Sequence, residues 1–165
     1  MSATNDLRSA ATRERILDAA ERLFAAHGFS GASVREITEA AGADLGAINY
    51  HFRSKENLYA EVFARRASEL RAPLLAAAGE AAALARVAPG EALRILGRAF
   101  LAPHEDRDAS QRLLALLTRE AIEERLPRGL FAREHLVPTI DVFAGVVREI
   151  RPALPEVAAR SCAHA

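Results

Sequence analysis

Apolar residues recur at three- and four-residue spacing along the whole chain, and this spacing most constrains what the chain can fold into. Runs of β-branched residues are few, and Ala, Leu, Arg and Glu, which favour helices, are abundant. Helix-breaking positions interrupt the pattern at Gly28 and Gly31, Gly42, Arg53–Ser54, Pro89–Gly90, Pro103–Asp108, Pro127–Gly129, and Pro152 and Pro155. We therefore predict an all-α fold of separate helices.

Length, cysteine content and charge narrow the class of protein. A chain of 165 residues, half of them hydrophobic, can bury a core without covalent links. Cys162 is the one cysteine, which suits a reducing cytoplasm and forms neither an intramolecular disulfide nor a cysteine zinc site. No apolar run reaches the roughly 20 residues of a membrane span. We expect a cytoplasmic protein without a membrane partner.

The chain is neutral overall, and this balance extends to its amino-terminal part. Residues 1–71 hold ten Arg and Lys against ten Asp and Glu. No basic tail therefore points to nucleic acid, and a case for DNA binding depends on where individual charges lie.

The first predicted helix covers about residues 12–27. Thr12 is expected as its N-cap and Gly28 as its C-terminal stop. Its buried stripe is expected to comprise Ile16, Ala20, Leu23 and Phe24.

A helix-turn-helix pattern occupies residues 33–52. Ser33 and Glu36 have the spacing of a capping box, which predicts the start of a second helix that turns Val34, Ile37 and Ala41 inward. Gly42 follows as the turn. A third helix is predicted over about residues 45–51, with Asp44 as N-cap and with Ile48 and Phe52 on its inner face. Such a pair of helices is typical of DNA-binding proteins.

The outer face of the predicted third helix carries small and polar residues. Gly46 and Ala47 leave room for bases, and Asn49 can pair with adenine. Tyr50 and His51 can donate to phosphate oxygens. Each of these side chains could also be an ordinary solvated or packing residue. Leu45 could touch a thymine methyl group or pack inward, and we predict that it packs inward.

Two cations lie at predicted helix starts, where the helix dipole disfavours them. Lys55 follows the predicted N-cap Ser54, and Arg35 lies in the first turn of the second helix. A bound phosphate would compensate both positions.

Further helices are predicted over about residues 54–78, 91–102, 109–126 and 130–150. In the first of them Leu58, Tyr59, Val62, Phe63 and Leu70 have core spacing. Pro138 should kink the last one, because it cannot donate to the carbonyl of Glu134. Another helix is expected to begin within residues 155–165.

The polar run 104–108 is the one candidate metal cluster in the sequence. Its residues are adjacent rather than spaced to converge, Arg107 adds a positive charge, and Asp108 suits a helix N-cap. We therefore predict a solvated loop and no metal. Catalytic motifs are likewise missing, so we predict no enzyme and no cofactor.

Residues 12–63 resemble the DNA-binding domain of the tetracycline-repressor (TetR/AcrR) family. The stretch reads TRERILDAAERLFAAHGFSGASVREITEAAGADLGAINYHFRSKENLYAEVF, and LFAAHGF, SVREITEAAG and INYHFRSKENLY are its most telling parts. The resemblance implies a DNA-binding domain over residues 9–71 and a helical regulatory domain over 72–165. Carried over by position, it implies DNA contacts by Arg35, Gly46, Ala47, Asn49, Tyr50, His51 and Lys55.

The resemblance also implies a regulatory domain that binds a small molecule and forms a homodimer on a near-palindromic operator. The predicted lining of a pocket for a small apolar or amphipathic ligand is Phe100, Leu117, Phe131, Leu136, Ile140 and Phe143. The same stripe is equally the pattern of a plain helical core. Family members dimerise through two last helices, and this chain ends about where the first should begin, so we expect a shortened carboxy-terminal part.

The predicted function is a DNA-binding transcription regulator, a repressor that a ligand releases from DNA. The alternative is a helical ligand-binding or protein-interaction module whose helix-turn-helix no longer binds DNA. The neutral charge and the short carboxy-terminal part favour this alternative.

Overall fold

The computed structural model describes residues 2–127, 129, 130, 133 and 137–155. Within these residues the ordered elements are helical, as predicted. They comprise α1 (Ser2–Gly31), α2 (Val34–Ala41), α3 (Gly46–Phe52), α4 (Lys55–Leu84), α5 (Pro89–Leu101), a short 3₁₀ turn (Ala102–His104), α6 (Arg107–Glu123) and α7 (Val137–Ile150).

The contacts divide the chain into two compact units. One comprises Met1–Arg65 and Asp108–Arg128, and the other comprises Arg66–Arg107 and Gly129–Ala165. Residues of α6 thus join the unit that holds α2 and α3. The division of the sequence into domains 9–71 and 72–165 stays a prediction.

Helix α1 begins earlier than predicted and contains a break. The prediction of Thr12 as N-cap is wrong, because the helix starts at Ser2 and the Thr12 hydroxyl donates to the carbonyl of Arg8 at 3.0 Å. Gly28 has φ 74° and ψ 176°, so it interrupts the helix where a stop was expected. Of the predicted stripe Ile16, Ala20 and Phe24 are fully buried, whereas Leu23 is half-buried.

The core of the first unit is aromatic. The Tyr59 ring contacts those of Phe24, Phe29 and Phe63 edge-on, with centroids between 4.9 and 5.2 Å apart. Ile16, Ile37 and Leu58 are also fully buried, one from each of α1, α2 and α4. The core spacing predicted for Leu58, Tyr59, Val62 and Phe63 is confirmed, and Leu70 is half-buried.

Helix α4 is longer than predicted and contains Pro73. The Ala-rich stretch after residue 78 continues the helix, because alanine has the highest helix propensity. The second unit buries a cluster of apolar residues, half of them alanine, namely Leu74, Ala81, Ala85, Ala92, Leu96 and Val146. Helix α5 starts at Pro89, which suits the first helical turn because proline lacks an amide hydrogen.

Two predictions near the carboxy-terminal part fall largely outside the described residues. Most of residues 131–136 are not described, so the predicted kink at Pro138 remains a prediction, and Pro138 is the second residue of α7 as described. The helix expected within 155–165 also lies outside the described residues, apart from Pro155.

The prediction of Asp108 as an N-cap is wrong, because Asp108 lies within the first turn of α6, which begins at Arg107.

No helix among the described residues has both the length and the apolar character needed to cross a membrane.

Candidate nucleic-acid interface

Helix α2 is fixed at both ends by the bonds that its sequence predicts. The Ser33 hydroxyl accepts from the amide of Glu36 at 3.1 Å, and the Glu36 carboxylate accepts from the amide of Ser33 at 2.8 Å. This confirms the capping box. The Ser33 hydroxyl, followed by its amide, holds the pKa of Glu36 below its ordinary value.

The turn between α2 and α3 is built around Gly42. This residue has φ 58° and ψ 45°, the left-handed conformation that glycine adopts without a steric cost. The amide of Ala43 donates to the carbonyl of Thr38 at 2.9 Å. From α1, Arg15 Nε donates to the carbonyl of Ala41 at 3.0 Å. These bonds satisfy carbonyls at the end of α2 and hold the turn against α1.

Helix α3 buries one side and exposes the other. Ile48 and Phe52 are each 1% exposed, which confirms their predicted inner position. On the outer side Gly46 and Asn49 are exposed, and Tyr50 is 77% exposed. A Cβ placed on Gly46 would meet no atom within 4 Å, so packing inside the chain does not require glycine there. The small residue leaves room for an approaching partner instead.

The start of α3 differs from the prediction in two ways. Leu45, not Asp44, is the N-cap, and no side chain caps the helix, so the assignment of Asp44 as N-cap is wrong. Residues 44–47 form a turn in which the amide of Ala47 donates to the carbonyl of Asp44 at 2.9 Å, and Leu45 within it has helical angles, φ −56° and ψ −34°, so the chain enters α3 through this turn. The prediction that Leu45 packs inward is also wrong, because its side chain is 61% exposed.

His51 lies between two aromatic neighbours. Its ring is half-buried, with centroids 4.8 Å from Tyr50 and 6.0 Å from Phe52. Ala47 is half-buried and lines a polar groove of about 430 Å³ together with Thr12, Arg15, Thr38, Glu39, Gly42, Ala43 and Asp44. Among the predicted contacts on α3, Gly46, Asn49 and Tyr50 are therefore exposed, whereas Ala47 and His51 are half-buried.

The two cations predicted for phosphate already have contacts inside the chain. Arg35 Nε donates to the Glu39 carboxylate at 2.8 Å, and this hydrogen bond raises the pKa of Arg35. Lys55 Nζ lies 4.4 Å from the centroid of the Phe29 ring, a cation–π distance. Burial lowers the pKa of Lys55, while the carboxylates of Glu56 and Glu123 oppose that effect.

Ser54 caps α4, as predicted. Its hydroxyl accepts from the amide of Asn57 at 3.2 Å. Arg53, which separates this cap from α3, was not among the predicted contacts. It is exposed and has φ 68° and ψ −37°, a strained conformation for a residue with a side chain. The sequence signal is a cation directly after the third predicted helix, at a position where the breaker pattern predicts a loop.

Helix α6 holds the break of α1 just before α2. Arg119 Nε donates to the carbonyl of Ala25 at 2.9 Å, and the same guanidinium donates to that of Ala26. On the other side of Gly28, the Glu123 carboxylate accepts from the amides of Phe29 at 3.2 Å and Ser30 at 3.1 Å. The groups that the broken helix leaves unpaired are thus satisfied from α6.

The predicted ligand lining divides between the units. Leu117 belongs to the first unit, whereas Phe100, Ile140 and Phe143 belong to the second, and Phe131 and Leu136 lie outside the described residues. The Phe100 and Phe143 rings lie 5.8 Å apart, edge to face. The six-residue lining remains a prediction. Among the described residues, no group of three or more His, Cys, Asp or Glu side chains is placed to hold a metal ion.

The segment that contains α2 and α3 is similar to known proteins. Residues 16–62 match the family model described as bacterial regulatory proteins of the tetR family. The HTH-type transcriptional repressor AcnR of Corynebacterium glutamicum is 52% identical over 48 residues, which cover 29% of this chain and 26% of that protein. The HTH-type transcriptional regulator AcrR of Shigella flexneri is 48% identical over 52 residues, which cover 32% and 24%. The match thus spans about a quarter of each relative's length.

Solved structures extend the likeness to most of the chain at the level of fold. A protein from Mesorhizobium loti assigned to the TetR family of transcriptional regulators has a TM-score of 0.72 and 22% identity, and the match covers 92% of this chain and 77% of that one. The TetR-family regulator PfmR of Thermus thermophilus has a TM-score of 0.60 and 24% identity, with coverage of 89% and 79%. Residues 16–62 therefore match the amino-terminal domain of the TetR family of bacterial regulatory proteins, and the chain shares its fold with solved regulators of that family.

Proposed function

We propose that this chain binds double-stranded DNA through α3 and acts as a regulator of transcription, in the manner of a repressor. The observation that carries the proposal is the outer face of α3, where Asn49 and Tyr50 are exposed while Ile48 and Phe52 anchor the helix from within. An α-helix fits the major groove of B-DNA. Because α3 is anchored by its inner face and has no side chain at Gly46, it can approach the bases closely.

The proposed contacts divide by chemistry. Asn49 would read a base, because its amide offers the donor and acceptor that adenine presents in the major groove. Tyr50, Arg53 and Lys55 would contact phosphates, which position the helix without reading sequence. Lys55 would leave the Phe29 ring or reach past it, since one cation–π contact near the surface is worth about 0.5–1 kcal/mol.

Two substitutions test the proposal by affecting binding in different ways. Asn49→Ala should weaken binding by about 1–3 kcal/mol and relax the base preference at one position of the bound sequence. Lys55→Ala should weaken binding to all sequences alike and lower the slope of log affinity against log salt by about one unit. The measurement is titration of the full chain with the DNA that flanks its own gene, at several salt concentrations.

Matched control variants lie away from α3. Gln111→Ala removes an exposed amide of α6, and Arg94→Ala removes a cation of α5 that pairs with Glu91. Both should bind DNA as the unchanged chain does. If Asn49→Ala and Lys55→Ala also leave affinity and salt slope unchanged while DNA is bound, the proposed interface is wrong.

One observation favours a second candidate, a helical interaction module that does not bind DNA. Arg35 pairs with Glu39, and Lys55 lies over Phe29, so two of the cations expected at phosphates are engaged within the chain. Light scattering together with a DNA titration separates the candidates. A monomer that retards no DNA supports the module, whereas a dimer that retards a near-palindromic duplex supports the regulator. Release of that duplex by a small apolar or amphipathic ligand would extend the proposal to the regulatory domain.

A further inference from the structure

Leu45 is a large apolar side chain that lies open to solvent at the start of the proposed reading helix. It is 61% exposed, and its backbone angles are already helical. Exposed leucines are common on protein surfaces and by themselves indicate little. The position of this one relative to its neighbours is what matters.

Leu45 and Asn49 share one face of the helix. They are four residues apart in continuous helical geometry, so their side chains lie one above the other, with Cβ atoms about 5–6 Å apart. Gly46 lies beside them with empty space where a Cβ would be. The face therefore offers an apolar group and an amide in a row, with nothing of the chain's own in front of Gly46.

Each of these two groups has a matching base edge in the major groove. The thymine methyl group is the apolar feature there, and the adenine edge presents an acceptor and a donor to a bidentate amide. Base pairs follow one another every 3.4 Å, so two side chains about 5–6 Å apart reach positions one or two base pairs apart.

We propose that Leu45 is a specificity-determining residue that reads a thymine methyl group one or two base pairs from an adenine read by Asn49. This inference rests on the proposed function and narrows it, because it assigns each half of the bound DNA a thymine and an adenine in neighbouring major-groove positions. Asp44, exposed just before Leu45, disfavours a closer approach of this end of the helix to phosphates.

The test removes the methyl group without touching hydrogen bonding. Duplexes that the full chain selects from a random library are resynthesised with each thymine replaced singly by deoxyuridine, and affinities are measured by titration. At one thymine in each half of the sequence, this replacement should weaken binding about fourfold, the effect of exposing one buried methyl-sized group.

Variants of Leu45 test whether its side chain is the group that contacts the thymine methyl. Leu45→Ala should bind the thymine and deoxyuridine duplexes equally, and Leu45→Met should keep the discrimination. Leu114→Ala is the matched control, because Leu114 of α6 is 66% exposed and should leave the discrimination unchanged. Replacing single adenines by 7-deazaadenine should weaken binding at a position one or two base pairs away, and Asn49→Ala should abolish that effect.

The outcomes separate two failures. If the chain selects DNA but no thymine replacement matters, or if Leu45→Ala keeps the discrimination, the reading of thymine by Leu45 is overturned while DNA binding stands. If the chain selects no duplex at all, the proposed function is overturned, and this inference with it. Circular dichroism of Leu45→Ala checks that the helices are intact.

Discussion

The two compact units of this chain differ in the contacts that stabilise each of them internally. In the first unit, Glu21 of α1 is 2% exposed and accepts from Arg65 of α4 at 2.9 Å and from Arg112 of α6 at 2.8 Å. In the second unit, the core consists mostly of alanine and leucine, and the ion pair between Arg86 and Glu149 at 3.1 Å is exposed.

The difference shows where the chain uses directional bonds. Hydrogen bonds to Glu21, and those of Arg119 and Glu123 across the break of α1, fix helices in one register because they require specific distances and angles. Packing of apolar residues such as those of the second core depends on buried area and is non-directional. The unit that carries α3 thus adds directional polar contacts between its helices to an aromatic core, which suits the proposed DNA interface.

The largest expected effect comes from removing the buried carboxylate. Glu21→Ala should lower the free energy of unfolding by about 3 kcal/mol, because Arg65 and Arg112 lose a buried counter-charge. Urea denaturation followed by circular dichroism measures it. Arg86→Ala, at the exposed pair of the second unit, should cost less than about 1 kcal/mol. Equal losses in the two variants would contradict the contrast between the units.

A pair of glycine substitutions should act in opposite directions. Gly28→Ala should destabilise the chain by about 2 kcal/mol, because glycine alone favours φ 74° and ψ 176°. A Cβ there would also collide with the Glu123 carboxylate. Gly97→Ala in α5 of the second unit meets open space and should stabilise by about 0.5–1 kcal/mol. Thermal denaturation measures the change in stability of both variants. A Gly28→Ala variant that is more stable than the unchanged chain would contradict the role given to Gly28 in the break of α1.

Arg53 should show a conflict between stability and binding. Arg53→Gly should raise the free energy of unfolding by about 1 kcal/mol, because glycine relieves the strain at φ 68°. It should also weaken DNA binding and reduce the salt slope, since a cation beside α3 is lost. Arg53→Lys should keep both the strain and the binding. If Arg53→Gly binds DNA as tightly as the unchanged chain, Arg53 is a structural residue only.

The smallest effect concerns the capping box of α2. Because the pKa of Glu36 is lowered in the folded chain, its stabilisation is fully present above the ordinary pKa of glutamate and is lost as pH falls through the lowered value. Ser33→Ala should raise the pKa of Glu36 toward its ordinary value, as followed by NMR titration of the side chain. Ser54→Ala, which affects the cap of α4, should leave the Glu36 titration unchanged.

Local signals predicted the caps and the turn around α3 well. The capping box at Ser33 and Glu36, the turn at Gly42 and the cap at Ser54 all depend on residues within a few positions of each other, and the structure confirms them. Ile48 and Phe52 were placed correctly because a four-residue spacing defines one face of a helix. Thr12 failed as a cap, because a hydroxyl inside a helix can bond back to a carbonyl one turn earlier.

The surroundings of the candidate site could not be predicted in the same way. As an apolar residue next to a predicted helix, Leu45 is expected in the interior. No other part of the chain that the structure describes covers its side chain at the start of α3, and it is 61% exposed. The contact of Lys55 with Phe29 joins residues 26 positions apart, and no periodicity within one helix shows it. Hydrophobic patterns report which face of a helix is buried, not which partner covers it.

By itself, the sequence determined that the described part of the chain is helical, where α2 begins and ends, and that Ile48 and Phe52 are the buried residues of α3. Only the tertiary structure placed α6 against the break of α1, with Glu123 bonded to amides more than 90 positions earlier in the chain. The physical reason is the sequence separation of the interacting residues. Caps and helical faces follow from bonds within one or two turns, whereas the burial of Glu21 and the exposure of Leu45 depend on which distant helices meet.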